Sequence, residues 1–204
     1  MVFIDNLAYS LFAISFAGFL ILYTIISIYL AYRKKQKDFS SYLKSAIVPL
    51  AFIGIYMLLM GLWGQFTWPL PGSYNTLFYD PLISFGILLL TFSISIKYNV
   101  KLQYVGFLGL MVGIMVIGYG ITGYQIGLTA APVALLLMYL FYGFAGIFSY
   151  PTALIADRLP GFKKNFWKGW HLMLILFLAF ILLASCISAF VGAAALTQHL
   201  ITAP

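Results

Sequence analysis

Apolar residues run almost without interruption through six stretches of the chain, and polar residues collect in the gaps. The stretches are roughly Ala8–Tyr32, Ser45–Trp68, Tyr79–Ile96, Tyr104–Ile126, Ala131–Ile155 and Gly169–Gln198. A helix needs about 20 mostly apolar residues to cross the hydrocarbon core of a bilayer. Strands of a membrane barrel would alternate in short segments, whereas these runs are continuous. The predicted fold is therefore all-α, an integral membrane bundle of six transmembrane helices. The gaps are short, so residues 1–204 are expected to form one domain with little soluble structure. The first run is longer than a signal-peptide core and no basic residues precede it, so it reads as a retained first helix.

Composition agrees. The chain is 64% hydrophobic and 7% charged, far from a soluble domain of this length. A net charge of +7 would suggest nucleic acid in a soluble protein; here topology accounts for it. All 11 lysines and arginines fall in or beside the first, third and fifth connections. They are Arg33, Lys34, Lys35, Lys37 and Lys44, then Lys97 and Lys101, then Arg158, Lys163, Lys164 and Lys168. The positive-inside rule predicts a cell-membrane protein with these connections in the cytoplasm and both termini outside. The expected surroundings are membrane lipids, with anionic headgroups drawn to the basic loops, and no nucleic acid.

The second connection concentrates polar, rigid and aromatic residues in GLWGQFTWPLPGSYNTLFYDPL, Gly61 to Leu82. Trp63, Trp68, Tyr74, Phe78 and Tyr79 suit an interfacial aromatic belt, and Trp167 and Trp170 the opposite interface. Pro69 and Pro71 should stop the second span. Asp80-Pro81 reads as the start of the third, with Asp80 capping free N–H groups and proline at the first helical position. In an alternative reading the loop is a lid or vestibule. Gln65, Thr67, Asn75 and Asp80 then offer polar groups outward, and Tyr124 and Gln125 of the fourth span meet them.

The fourth span carries glycine at every seventh position, Gly106, Gly113, Gly120 and Gly127, with Gly109 and Gly123 between them. Such a stripe lets another helix backbone approach closely. Ala184, Ser188 and Gly192 of the sixth span offer a matching surface. Packing within the chain and contact with another subunit both fit this pattern. Pro151 should kink the fifth span, as structure or as a gating hinge.

The run TWPLPGSYNTLFYDPL, with GYGITGYQIGLT and FAGIFSYPTALIADRLPGF, resembles a family of archaeal multi-pass membrane proteins catalogued as domain of unknown function 981. The likeness covers most of the chain. It implies an archaeal cell membrane and an important external loop, and no reaction.

Catalytic and cofactor signatures are missing. The chain has no glutamate, and Asp5, Asp38, Asp80 and Asp157 all map near span ends, which disfavours a proton pump or carboxylate-coupled carrier. His171 and His199 lie at opposite ends of the last span, ~42 Å apart along a helix, too far to share a haem or metal. Cys186 is the single cysteine, so no intrachain disulfide forms. Neither an enzyme nor a bound cofactor is expected. Two readings follow. One is a non-catalytic accessory or structural subunit of a larger membrane assembly, such as a respiratory or redox complex, packed against other membrane subunits or against further copies of itself. The other is an oligomeric channel or carrier for a small neutral or weakly polar solute.

Overall fold

A computed structural model describes residues 6–34, 40–158 and 167–201. Lys35, Lys37, Asp5, Asp38, Lys163 and Lys164 lie outside the described residues, as do the side chains of Trp167, Lys168, Trp170 and His199. Among the described residues there are seven helices and no strands: α1 Asn6–Arg33, α2 Ser40–Ser45, α3 Ile47–Thr67, α4 Ser73–Lys97, α5 Gln103–Gln125, α6 Pro132–Arg158 and α7 Trp167–Ile201. Six are long and apolar enough to span a membrane, and α2 is a short helix leading into α3.

The spanning helices form a ring in chain order, each packed on its neighbours, and α7 closes the ring against α1. The seams are unequal. The α5–α6 and α3–α4 seams are extensive, whereas α4–α5 and α1–α3 are light. The molecule is thus an α3–α4 hairpin held against a block of α5, α6, α7 and α1. Large apolar side chains such as Phe52, Phe66, Tyr104 and Phe190 face outward all round the ring. This is the sidedness of a bundle solvated by lipid.

Without a hydrophobic driving force in lipid, close packing and hydrogen bonds must hold such helices together. Both are present. At the tightest point of the α5–α6 seam, a Cβ on Gly146 would lie 2.7 Å from the Gly113 Cα, and one on Gly113 would lie 2.9 Å from the Ile147 amide nitrogen. Across the α1–α7 seam two buried serines bond foreign carbonyls: Ser15 donates to Ser185 O and Ser188 to Leu11 O, each at 2.8 Å.

The third span begins earlier than the sequence suggests. Helix α4 starts at Ser73, so Asp80 and Pro81 lie inside it and Asp80 is not its cap. Gly72, at φ +51°, makes the turn after Pro69 and Pro71. The buried Asn75 then fastens the new helix to the old one. Its amide donates to Gly64 O at 3.0 Å, and its carbonyl oxygen accepts from the Leu70 N–H at 3.3 Å. That anchorage lets a helix form ahead of a proline that looks like a helix start.

Candidate functional site

For description, the end of the ring that carries Arg33, Lys44, Lys101 and Arg158 is called the basic end, and the other the Asp80 end. Seven residues into α4, Asp80 lies about 10 Å below the helix start, at the usual rise per residue. Its carboxylate is tied to two other helices. Gln65 of α3 donates its side-chain amide to Oδ1, and the Tyr119 hydroxyl of α5 donates to Oδ2 at 2.5 Å. Pro81 has no N–H, so the Leu77 carbonyl one turn back lacks its helical donor. The buried Tyr139 hydroxyl of α6 supplies the missing bond at 2.5 Å. Hydrogen bonds from α5 and α6 therefore close the light α4–α5 seam at this end.

The polar residues of the second connection thus turn into the protein. Asn75 is fully buried, and Gln65 and Asp80 bond to each other. Thr67 is the exception: it stays exposed and bonds back to the Trp63 carbonyl at 2.8 Å. Tyr79 is buried with its ring over Gly64 and takes no place in an aromatic belt. Trp63 and Trp68 are exposed, as a belt requires, and Tyr74 stacks on Phe78. Tyr124 and Gln125 are exposed at the end of α5. The α5 side chain that bonds to a polar residue of the connection is that of Tyr119.

Around and below this knot one apolar cluster includes Leu11, Leu77, Val116, Leu135, Met138 and Ala184, and a second, with Leu50, Met57, Tyr79, Leu82 and Leu89, packs the α3–α4 hairpin against α1. The basic half contains a cavity beside a small cluster of Ala145, Phe177 and Ile181. A cavity of about 290 Å³ is lined by all six spanning helices and by Leu43 of α2. Its lining starts at Phe85 and Tyr142, whose rings meet at 5.5 Å, and runs to Tyr29, Leu102 and Ala156 near the basic ends of their helices. The Ser149 hydroxyl in its wall is spent on Gly146 O at 2.6 Å, and that of Thr152 on Phe148 O at 2.8 Å. The wall is otherwise almost wholly apolar, apart from the Tyr142 hydroxyl, which is buried without a partner. His171 packs edge-on against Tyr29 near the same end.

The second aspartate brought into use is Asp157 of α6. It is no freely solvated helix end. Both its oxygens accept backbone N–H bonds at the start of α5, from Leu102 and Gln103, each at 2.8 Å. It caps a neighbouring helix that has no cap of its own, since Leu102 precedes the first turn without a side-chain bond. The missing local cap is the one sequence signal that could have pointed to this contact.

The glycine stripe is used within the chain, against a different partner from the one expected. Gly106, Gly109, Gly113 and Gly120 face Ala153, Ser149, Gly143 and Tyr139 of α6. Gly123 faces Leu77 and Leu135, and Gly127 lies past the helix end at φ +63°. Ala184 and Ser188 are buried in α7, and Ser188 and Gly192 face Leu11 and Ala8 of α1, not α5. Ser84 and Thr91 bond carbonyls of their own helix, at 3.0 and 2.8 Å.

Six helices long and apolar enough to cross a membrane mark the chain as an α-helical membrane protein. The chain belongs to the family described as "Protein of unknown function (DUF981)", whose model matches residues 1–202. No curated protein and no solved structure matches it.

Proposed function

We propose that this protein is a non-catalytic carrier that admits a largely apolar solute to the cavity of its basic half, with the basic end in the cytoplasm and both termini outside. The observation that carries the reading is the asymmetry of the ring. Six helices surround a cavity in the basic half, and polar side-chain bonds tie α3, α4, α5 and α6 together at the other end. Such a bundle suits a hinge: the α3–α4 hairpin swings on the Asp80 knot while the cavity end opens and closes. The orientation rests on the segregation of lysine and arginine.

The accessory-subunit reading drew on the missing catalytic groups and short connections as well as on the α5 stripe. That stripe is covered by α6, so a partner has to use another face.

The test is native mass spectrometry of the full chain extracted in a mild detergent. A carrier releases a bound small molecule from the wild type and none from Ala145→Phe, in which a ring enters the cavity. A stoichiometric second protein with an empty cavity would favour the subunit instead.

A further inference from the structure

The cavity's walls and rim together specify a guest. From Tyr142 to Ala156 along α6 the lined length is about 21 Å, at the usual rise per residue. That exceeds the depth of one leaflet, roughly half of a 30 Å hydrocarbon core. A volume of about 290 Å³ stands at the small end of ligand pockets. Long, narrow and apolar, the space suits one hydrocarbon chain. Its wall hydroxyls at Ser149 and Thr152 are already bonded to carbonyls, and the one lining hydroxyl that is buried without a partner is that of Tyr142, at the inner end.

The rim is different. Lys44 follows the lining residue Leu43, Lys101 precedes Leu102, Arg158 stands two residues past Ala156, and Arg33 one turn past Tyr29. These four cations come from four separate parts of the chain, and all four are exposed. The described acid at this end, Asp157, turns both oxygens to the α5 backbone, and its single negative charge leaves the four cations in excess. The net positive rim stands where the apolar lining ends.

We infer that the guest is a single-chain anionic amphiphile, with its chain in the cavity and its headgroup among Arg33, Lys44, Lys101 and Arg158; this rests on the cavity reading above. With the headgroup at the rim, the chain points away from the basic end, toward Phe85 and Tyr142. Each Lys or Arg near an anionic headgroup contributes about 1 kcal/mol, roughly a fivefold change in affinity.

The experiment uses the full chain in nanodiscs of a neutral phospholipid, with radiolabelled hexadecyl phosphate and hexadecanol as chain-matched probes and empty discs as background. The phosphate should bind at one per chain and at least about tenfold tighter than the alcohol. Lys101→Gln and Arg158→Gln should each weaken the phosphate about fivefold and leave the alcohol unchanged. Ala145→Phe should abolish both, with Ala17→Phe as a second cavity-filling variant in case the first fails to fold. Equal affinities for the two probes, insensitive to the charge variants, would overturn the anionic headgroup and leave the cavity standing. If neither probe exceeds background, or if both survive the filled cavity, the cavity reading itself fails.

Discussion

The Tyr139 hydroxyl lies 2.5 Å from the Leu77 carbonyl, the acceptor that Pro81 deprives of its helical donor. A proline inside a spanning helix is tolerated where a neighbour satisfies the freed carbonyl. The pair therefore predicts a coupling. Tyr139→Phe should destabilise the bundle by about 1 kcal/mol, the usual net worth of a buried hydrogen bond. In a Pro81→Ala background the Leu77 carbonyl regains a backbone donor, and the same substitution should cost less. Unfolding in mixed micelles across the four-member cycle measures the difference. Additive costs would mean that the hydroxyl does not compensate for the proline.

Asp80 accepts from two helices at once, so its substitutions should rank. Asp80→Asn keeps one acceptor oxygen and should lose about one bond. Asp80→Ala leaves both the Gln65 amide and the Tyr119 hydroxyl without an acceptor, and each orphaned group costs about 1–3 kcal/mol. Tyr119→Phe in the Asp80→Ala background should then add little. Thermal unfolding in detergent gives the order. If Asp80→Ala proved as stable as wild type, the knot would not hold the α4–α5 seam.

The six spans were legible because a bilayer demands long apolar runs, and the chain supplies them from Asn6 to Thr197. The start of α4 was not. Asp-Pro has the chemistry of a helix start, and what allows Pro81 inside the helix is Tyr139, far along the chain on α6. The stripe on α5 was legible as a close-packing surface, because glycine has one reason to recur at seven-residue spacing in a membrane helix. Its partner was not, because Gly143 and Gly146 on α6 carry too short a pattern to stand out. Gln65 and Asp80 were marked as candidates for their polarity. Their pairing with each other and with Tyr119 depends on how three helices are rotated, and no local pattern encodes that. The cavity was equally invisible, since its lining consists of the same residue types as the lipid-facing surface.

Asp157 should matter to α5 more than to its own helix. Asp157→Ala removes the acceptor for the Leu102 and Gln103 amides, and loss of a helix cap costs about 0.5–2 kcal/mol. Asp157→Asn keeps one acceptor and should fall between the two. Hydrogen–deuterium exchange locates the effect: peptides covering the first turn of α5 should exchange faster in Asp157→Ala, with the middle of α5 unchanged. Unaltered protection at Leu102 and Gln103 would show that the contact does not stabilise that turn.

Two glycines on the same helix make an internally controlled test of the α5–α6 seam. Gly113 faces α6 backbone, and an added Cβ would lie 3.0 Å from the Gly146 Cα, where neither chain can give way without parting the helices. Gly118 faces outward, with nothing within 4 Å of an added Cβ. Alanine favours the helix over glycine by about 1 kcal/mol at either site. Gly118→Ala should therefore be neutral or stabilising. Gly113→Ala should lose about 1–3 kcal/mol to overpacking, offsetting any gain in propensity. Unfolding of both variants by the same probe decides it. If Gly113→Ala were as stable as Gly118→Ala, the two helices would not approach as closely as the ring requires.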